Sequence, residues 1–462
     1  MATPHVLAVP YPAQGHVIPL MEVSLRLAKY GIKVSFVNTE FNHERIVEAL
    51  SETDNTQEKE SVNLVSIPDG MEPWEDRNEV GKLSEAIMNV MPGKLEDLIE
   101  KINETDGDKI MCVIADYSMG WALEIAKKWG IRRVAFFPAA AAVLNLCDNC
   151  PKLIDDGIID SDGRVLKKQK FQLSPAMPVM NSETFVWTSF GDLAAQKVMF
   201  HFIMNNYISA NGADWSICNS TYELEPAALA LIPNCKPIGP LLAYYRLGKS
   251  SGHFWPQDST CLEWLDQQPS QSVIYVAFGS FTIFNENQFQ ELALGLEITN
   301  RPFLWVVRQD STIKSTLKNM LEGFQDRVQN RGLIVSWAPQ QKVLSHPSVA
   351  CFISHCGWNS TVEGVSNGVP FLCCPYFADQ FFNQTYICDH WEVGLGLDKD
   401  ERGIIRKEEI KNKLEQLLTD ERYKERALNL QAKTMDSATK GCSHKNINNF
   451  VAWIKGKDNH SL

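Results

Sequence analysis

The chain has 462 residues, 44% of them hydrophobic and 22% charged, the balance of a globular protein long enough for more than one core. Its net charge of -12 disfavours a nucleic-acid or anionic-membrane surface, although backbone amides can still hold an anion locally. No window reaches the ~18 apolar residues of a membrane span, and no basic stretch precedes the first apolar run, so a cytoplasmic location is expected.

The 12 cysteines are scattered, and Cys112, Cys351, Cys373 and Cys374 sit inside apolar runs where a thiol acts as a small hydrophobe. Cys147 and Cys150 form a CxxC without a second pair, and the 10 histidines show no metal-ligand spacing, so no metal is expected. Four Asn-x-Ser/Thr sequons, at Asn103, Asn219, Asn359 and Asn383, carry little weight without a secretory signal.

In chain order, His5 to Pro10 reads as a buried parallel strand, followed by the loop YPAQGH and a helical pattern over Leu20 to Lys29. Lys33–Asn38, Val62–Ile67, Ile110–Ala115 and Arg133–Phe137 are further strands, with a helix through Trp121, Ile125 and Trp129. Residues 151–210 are irregular and rich in Met, Phe and Trp, which fits either an aromatic binding wall or plain helical packing. Trp215–Ser220 restores a strand, and the stretch 241–260 reads as an interdomain linker. A second alternating series follows: strands at Ser272–Ala277, Phe303–Val307 and Gly332–Ser336, a helix over Glu286–Thr299, and a polar helical tail from Lys407 ending in an apolar-aromatic patch at Phe450–Ile454. Strand–helix alternation of this kind implies doubly wound α/β domains, whose ligands sit at the carboxyl ends of the strands.

Three places carry chemistry. His16 follows the first strand, and Asp116 ends a very apolar strand of the same half, where a carboxylate is costly unless paired. A surface or capping histidine is the plain reading of His16 alone; together with Asp116 it makes a general base, and no elbow serine accompanies it. Phe278-Gly279-Ser280 ends a strand in the second half and is either an ordinary turn or a phosphate contact through Ser280. The fingerprints GxGxxG and GxxxxGK[ST] are absent, which argues against dinucleotide and P-loop enzymes. Third, Trp337–Gln380 packs WAPQQ, HCGWNS, Glu363 and a terminal Asp-Gln into 44 positions that match neither a strand nor a helix period. The strand before His355 and the helix after it present amides to a diphosphate, Trp337 suits stacking on a base, and Asp379-Gln380 suits sugar hydroxyls. Asn359 or Ser360 as a plain helix cap explains less of the pattern.

This segment resembles the signature box of plant family-one UDP-dependent glycosyltransferases, small-molecule glucosyltransferases, and the likeness extends through PAQGH, WSICNS, the IGP turn, VAFGS and FLWVVR. The resemblance implies a GT-B type α/β fold, two facing Rossmann-like doubly wound domains with a cleft between them. It implies an acceptor-binding domain over 1–240, a linker over 241–260, a UDP-sugar-binding domain over 261–440, and a C-terminal helix within 441–462 packing back on the first. Carried onto matching positions, Trp337 stacks on uracil and Ala338 reads its edge. Gln340 and Glu363 hold the ribose, while His355, Asn359, Ser360 and Ser280 bind the diphosphate beside Gly357. Trp358, Asp379 and Gln380 bind the sugar, and the terminal Gln380 favours glucose over galactose. His16 deprotonates the acceptor hydroxyl and Asp116 orients it. Relatives place a Ser or Thr after the Phe-Phe strand end where this chain has Pro138-Ala139-Ala140-Ala141-Ala142.

The expected reaction is an inverting, metal-independent transfer of glucose from UDP-glucose, a co-substrate rather than a cofactor, to a hydroxyl or carboxyl of an apolar acceptor such as a flavonoid or terpenoid. Trp74, Phe185, Trp187, Phe200, Met204 and Tyr376 are expected to line the acceptor pocket. The partners are then the two small molecules, with no nucleic acid, and the chain is expected to be a monomer. The alternatives are a UDP-sugar-binding protein without turnover, for which His16 and Asp116 are superfluous, and a sugar-nucleotide epimerase or dehydrogenase, which the missing dinucleotide fingerprint disfavours.

Overall fold

The computed structural model describes residues 3–51, 62–104, 108–243, 253–255, 257–282, 284–308, 323–329 and 331–456. Within the 241–260 segment expected as a linker, 244–252 and 256 lie outside the described residues. The chain divides into two compact units, one holding Met1–Leu242, Ser250–Pro256 and Asp436–Leu462, the other Ala243–Lys249 and Gln257–Met435.

The first unit is built on β1 (His5–Val9), β2 (Lys33–Thr39), β3 (Asn63–Ile67), β4 (Ile110–Asp116), β5 (Arg132–Phe137), β8 (Trp215–Cys218) and β9 (Cys235–Pro237), with a separate small antiparallel pair, β6 (Lys170–Phe171) and β7 (Met180–Asn181). The large sheet is parallel throughout and runs β3-β2-β1-β4-β5-β8-β9. The central strands β1 and β4 are buried on both faces, which is why they read as continuous apolar runs without polar alternation. Val6, Ala8, Phe36, Ile114 and Phe136 face a layer that includes Val17, Leu20 and Val23 of α1 (Gln14–Lys29). Ile447, Phe450, Val451 and Ile454 of the last helix, Cys442–Ile454, belong to the same core. That helix is tied further by Arg132, which donates to the Trp453 carbonyl, by Tyr30 donating to Asn448, and by Asn446 donating to the Pro237 carbonyl.

The structure begins α1 six residues before the helical pattern starts, at Gln14, so His16 lies in a helix's first turn and not in a loop. Gly15 and Pro19 read locally as breakers. Burying Val17, Leu20 and Met21 against the sheet offsets the one backbone bond that Pro19 cannot make.

Residues 151–210 resolve into the end of a helix, the β6/β7 pair and the helix Leu193–Asn211 around a compact aromatic cluster. Phe185 stacks on Trp187 at 4.8 Å, Trp187 meets Phe200 edge-on at 5.0 Å, and the Trp187 indole donates to the Gly163 carbonyl at 2.7 Å. These three side chains are 2%, 0% and 3% exposed. The acceptor-lining role expected of Phe185, Trp187 and Phe200 therefore gives way to packing: no ligand can touch rings that already fill their surroundings.

The second unit repeats the architecture with β10 (Val273–Ala277), β11 (Phe303–Val306), β12 (Gly332–Val335), β13 (Val349–Ser354), β14 (Phe371–Cys373) and β15 (Gly394–Gly396), all parallel, in the order β12-β11-β10-β13-β14-β15. Ile274, Val276, Trp305, Ile353 and Leu372 pack against Leu292 and Leu296 of the helix Glu286–Thr299 and against Ile410 and Leu414 of the helix Lys407–Thr419. Each sheet reverses its direction of winding at one place, between β1 and β4 in the first unit and between β10 and β13 in the second. Crevices at such reversals are where doubly wound sheets hold ligands.

Candidate active site

In the first unit the reversal brings together two residues 100 apart in sequence. β1 and β4 pair in parallel with Val9 beside Ala115, so the turn after one strand and the last residue of the other share an edge. His16 Nδ1 lies 2.7 Å from Asp116 Oδ2. Asp116 is fully buried, and its second oxygen accepts from the Ser118 amide at 2.8 Å, so the carboxylate is held from both sides. The His16 side chain keeps 30% of its surface exposed. Tyr11, whose ring centre is 5.2 Å from that of His16, has its phenol pushed up to about 12 by burial, with only partial relief from its hydrogen bond to Ser84. It stays neutral and walls the histidine without competing for its proton.

In the second unit the sequence-expected residues gather at the reversal between β10 and β13, where Ala277 and Ser354 are register partners. Gly279-Ser280 follows β10 and His355 follows β13. The two loops touch through the imidazole. A Cβ on Gly279, whose φ is +70°, would come 2.6 Å from His355 Nε2, and one on Gly357 would come 2.4 Å from the same atom. Only glycine fits on either side of that ring, so the cradle is shaped by backbone. His355 Nδ1 is buried without a hydrogen-bond partner, and burial pushes the ring's pKa down to about 4, opposed by the Ala277 backbone. The ring is therefore neutral at pH 7 and can supply a hydrogen bond but no charge.

After His355, Cys356 adopts a left-handed φ of +64° and the helix Trp358–Ser366 begins, with Gly357 at its N-cap and no side-chain cap. Asn359 and Ser360 thus sit inside the first turn, and the plain capping reading of either is excluded. Ser360 accepts from Gln340 Nε2 at 2.8 Å, and the same amide donates to Glu363 Oε2 at 2.6 Å. Tyr275 donates to the Gln340 carbonyl oxygen at 3.1 Å. Trp337 and Ala338 immediately precede this network, and the Trp337 carbonyl accepts from the Asp258 amide. Trp358 is buried, its ring 6.3 Å from Trp391. At the far end, the Gln380 carbonyl oxygen accepts from the amides of Tyr376 and Phe377 at 2.8 and 3.1 Å, and Asp379 accepts from Asn383 at 2.8 Å.

The remaining expected acceptor residues are dispersed. Trp74 is 80% exposed on the loop after β3, and Met204 is half-buried on Leu193–Asn211. Tyr376 belongs to the second unit and packs edge-on against Phe284 and Phe377.

The family model for UDP-glucoronosyl and UDP-glucosyl transferase matches residues 17–454. The chain belongs to this family. Within it the chain is a plant family-one UDP-dependent glycosyltransferase with the GT-B type fold, an enzyme of the hexosyltransferase class that glycosylates small molecules from a UDP-sugar. It is 50% identical to UDP-glycosyltransferase 83A1 of Arabidopsis thaliana, over 99% of this chain and 98% of that protein. Among solved structures it is similar to Os79 from O. sativa in complex with UDP (TM-score 0.78, 26% identity, 97% of this chain and 100% of that one). It is also similar to UGT2 of Phytolacca americana complexed with UDP-2fluoro-glucose and pterostilbene (TM-score 0.78, 27% identity, 98% and 99%). The readings of a binder without turnover and of an epimerase or dehydrogenase fall away.

The structure shows supporting residues around these loops that sequence reasoning passed over, because they bind groups distant in sequence. Arg308, just past β11, donates to the carbonyls of Ser280 and Thr282 and so braces the Gly279-Ser280 loop. Gln341 donates to Glu363 Oε1 at 3.0 Å while its own carbonyl accepts from the Ala243 amide. The Ala139–Ala142 stretch receives its order from outside: the buried Glu225 accepts from the amides of Ala141 and Ala142 at 2.8 and 3.0 Å and from the Ser220 hydroxyl. A run of alanines offers no cap of its own, so a distant carboxylate supplies one. Among the described residues no cluster of His, Cys, Asp and Glu could hold a metal ion, and no helix is long and apolar enough to cross a membrane.

Proposed function

We propose that this glycosyltransferase moves glucose from UDP-glucose to a hydroxyl of an apolar small molecule of the flavonoid or terpenoid kind, with inversion and with His16 as general base. The observation that carries the reading is the 2.7 Å contact of His16 Nδ1 with the buried Asp116. The carboxylate selects the tautomer with hydrogen on Nδ1 and stabilises the imidazolium that forms when Nε2 takes the acceptor's proton. The acceptor oxygen attacks the anomeric carbon as the bond to the UDP oxygen breaks, through an oxocarbenium-like state.

The second unit is assigned the donor. Trp337 and Ala338 take the uracil, and Gln340 and Glu363 take the ribose. Ser280, His355, Gly357, Asn359 and Ser360 take the diphosphate, and Trp358, Asp379 and Gln380 take the sugar. With His355 neutral, the charge that develops on the leaving UDP falls to the amides at the start of Trp358–Ser366. The domain limits proposed are 1–240 for the acceptor half, 261–440 for the donor half and 441–462 for the returning helix. A cytoplasmic monomer is part of the same reading.

The test is His16→Ala. Transfer of glucose from UDP-glucose to a phenolic acceptor should fall by about 10²–10⁴-fold with UDP affinity kept. Unchanged transfer would show that another group takes the proton. A panel of flavonoid, terpenoid and glycosylated acceptors, read by product mass, tests the acceptor class.

A further inference from the structure

Three residues beyond the signature segment, Asn383 connects its two ligand-carrying ends. Asn383 is fully buried on the short helix Gln380–Thr385. Its Nδ2 donates to the Cys356 carbonyl at 2.8 Å and to Asp379 Oδ2 at 2.8 Å. Both partners are pure acceptors, so the orientation of the amide is settled by chemistry, and both of its hydrogens are committed. Its Oδ1 is buried without a hydrogen-bond partner, a cost that this placement accepts.

What it holds matters. Cys356 has a left-handed φ of +64° in the turn that leads to Trp358–Ser366, a conformation a non-glycine residue keeps only where its surroundings demand it. The Ser354 hydroxyl accepts from the Cys356 amide at 3.1 Å, and Asn383 grips the other side of the same residue at its carbonyl. Asp379 stands at the N-cap of Gln380–Thr385 without a side-chain cap bond there, and its carboxylate accepts from Asn383. One amide group thus joins the turn assigned to the diphosphate with the carboxylate assigned to the sugar.

We infer that Asn383 is a positioning residue for donor-sugar recognition, setting the distance between the diphosphate turn and Asp379 without touching the donor itself. The inference rests on the donor-site reading above. Full burial also means that its sequon is closed to glycosylation in the folded protein.

The experiment needs no acceptor. Dissociation constants of UDP and of UDP-glucose are measured by titration calorimetry on the full chain, and their ratio is followed. Asn383→Asp keeps the shape but sets a second carboxylate against Asp379, so at pH 8 the UDP-glucose constant should rise on the order of tenfold more than that of UDP. Two carboxylates in contact share a proton as pH falls, so the ratio should return toward the wild-type value at pH 5.5. A merely structural role would weaken both ligands alike and give no such recovery. A ratio within twofold of wild type at pH 8 overturns the inference. Should Asn383→Asp not fold by near-ultraviolet circular dichroism, Asn383→Ser, which keeps one donor, is decided by the same ratio. Asp379→Asn separates the two claims: if it leaves the ratio unchanged the sugar-site reading itself fails, and if it alone shifts the ratio only the role of Asn383 fails.

Discussion

Two histidines with opposite settings show how much a residue's role depends on its immediate surroundings. His16 keeps part of its surface exposed and has a buried carboxylate on Nδ1. His355 is walled by two glycines, and burial depresses its pKa to about 4. The folded state therefore prefers the neutral ring, while the unfolded chain titrates near the ordinary value of about 6.5. Stability from this group is fully present above that value and is lost as pH falls toward 4, because the unfolded state then binds the extra proton. The loss amounts to no more than about 3 kcal/mol. Urea unfolding of wild type and His355→Gln at pH 7 and pH 4.5 measures it: the wild type should lose more on acidification than the variant by up to that amount. Both histidines stand out in the sequence, His16 next to Gly15 and His355 two residues before Gly357. The difference between them does not, since it comes from atoms at residues 116, 277 and 279.

At the scale of elements, the signature segment is legible because it is one stretch of chain that runs through β13, the helix after it and β14. Contiguity in sequence becomes contiguity in space there. Its supports are not legible in the same way. Arg308, Gln341 and Asn383 bind carbonyls, amides and carboxylates of residues up to 98 positions away, and no local pattern marks them. The aromatic run of 151–210 shows the converse error: aromatic content alone cannot tell a ligand wall from a packed cluster, and the cluster won because its rings find each other. The two glycines beside His355 allow a direct test of how tightly the loops must approach. Gly279→Ala meets the imidazole at 2.6 Å with φ at +70° and should cost about 1–3 kcal/mol of stability. Saturating UDP should raise the variant's melting temperature much less than the wild type's, because the anion cradle is displaced. An equal rise in both would mean that this loop does not hold the diphosphate.

At the scale of the whole molecule, the chain builds the same sheet logic twice, with one winding reversal in each sheet. The first unit is completed by residues from the far end of the chain, since the core around Val6, Phe36 and Phe136 includes Phe450 and Ile454. Phe450→Ala should therefore destabilise the protein by about 3–5 kcal/mol, read as a shift in its denaturant midpoint; no change would place the last helix outside the core. By itself the sequence determined the parallel α/β class, most of the long strands and the signature segment, because apolar runs and contiguous polar motifs are properties of neighbouring residues. The pairing of His16 with Asp116 was also legible there, and only the tertiary structure decided that Glu225 orders an alanine run and that Asn383 ties one end of the signature segment to the other. Those contacts depend on which strands lie side by side and on where buried polar groups find partners, and pairing of that kind is settled by packing across the sheet.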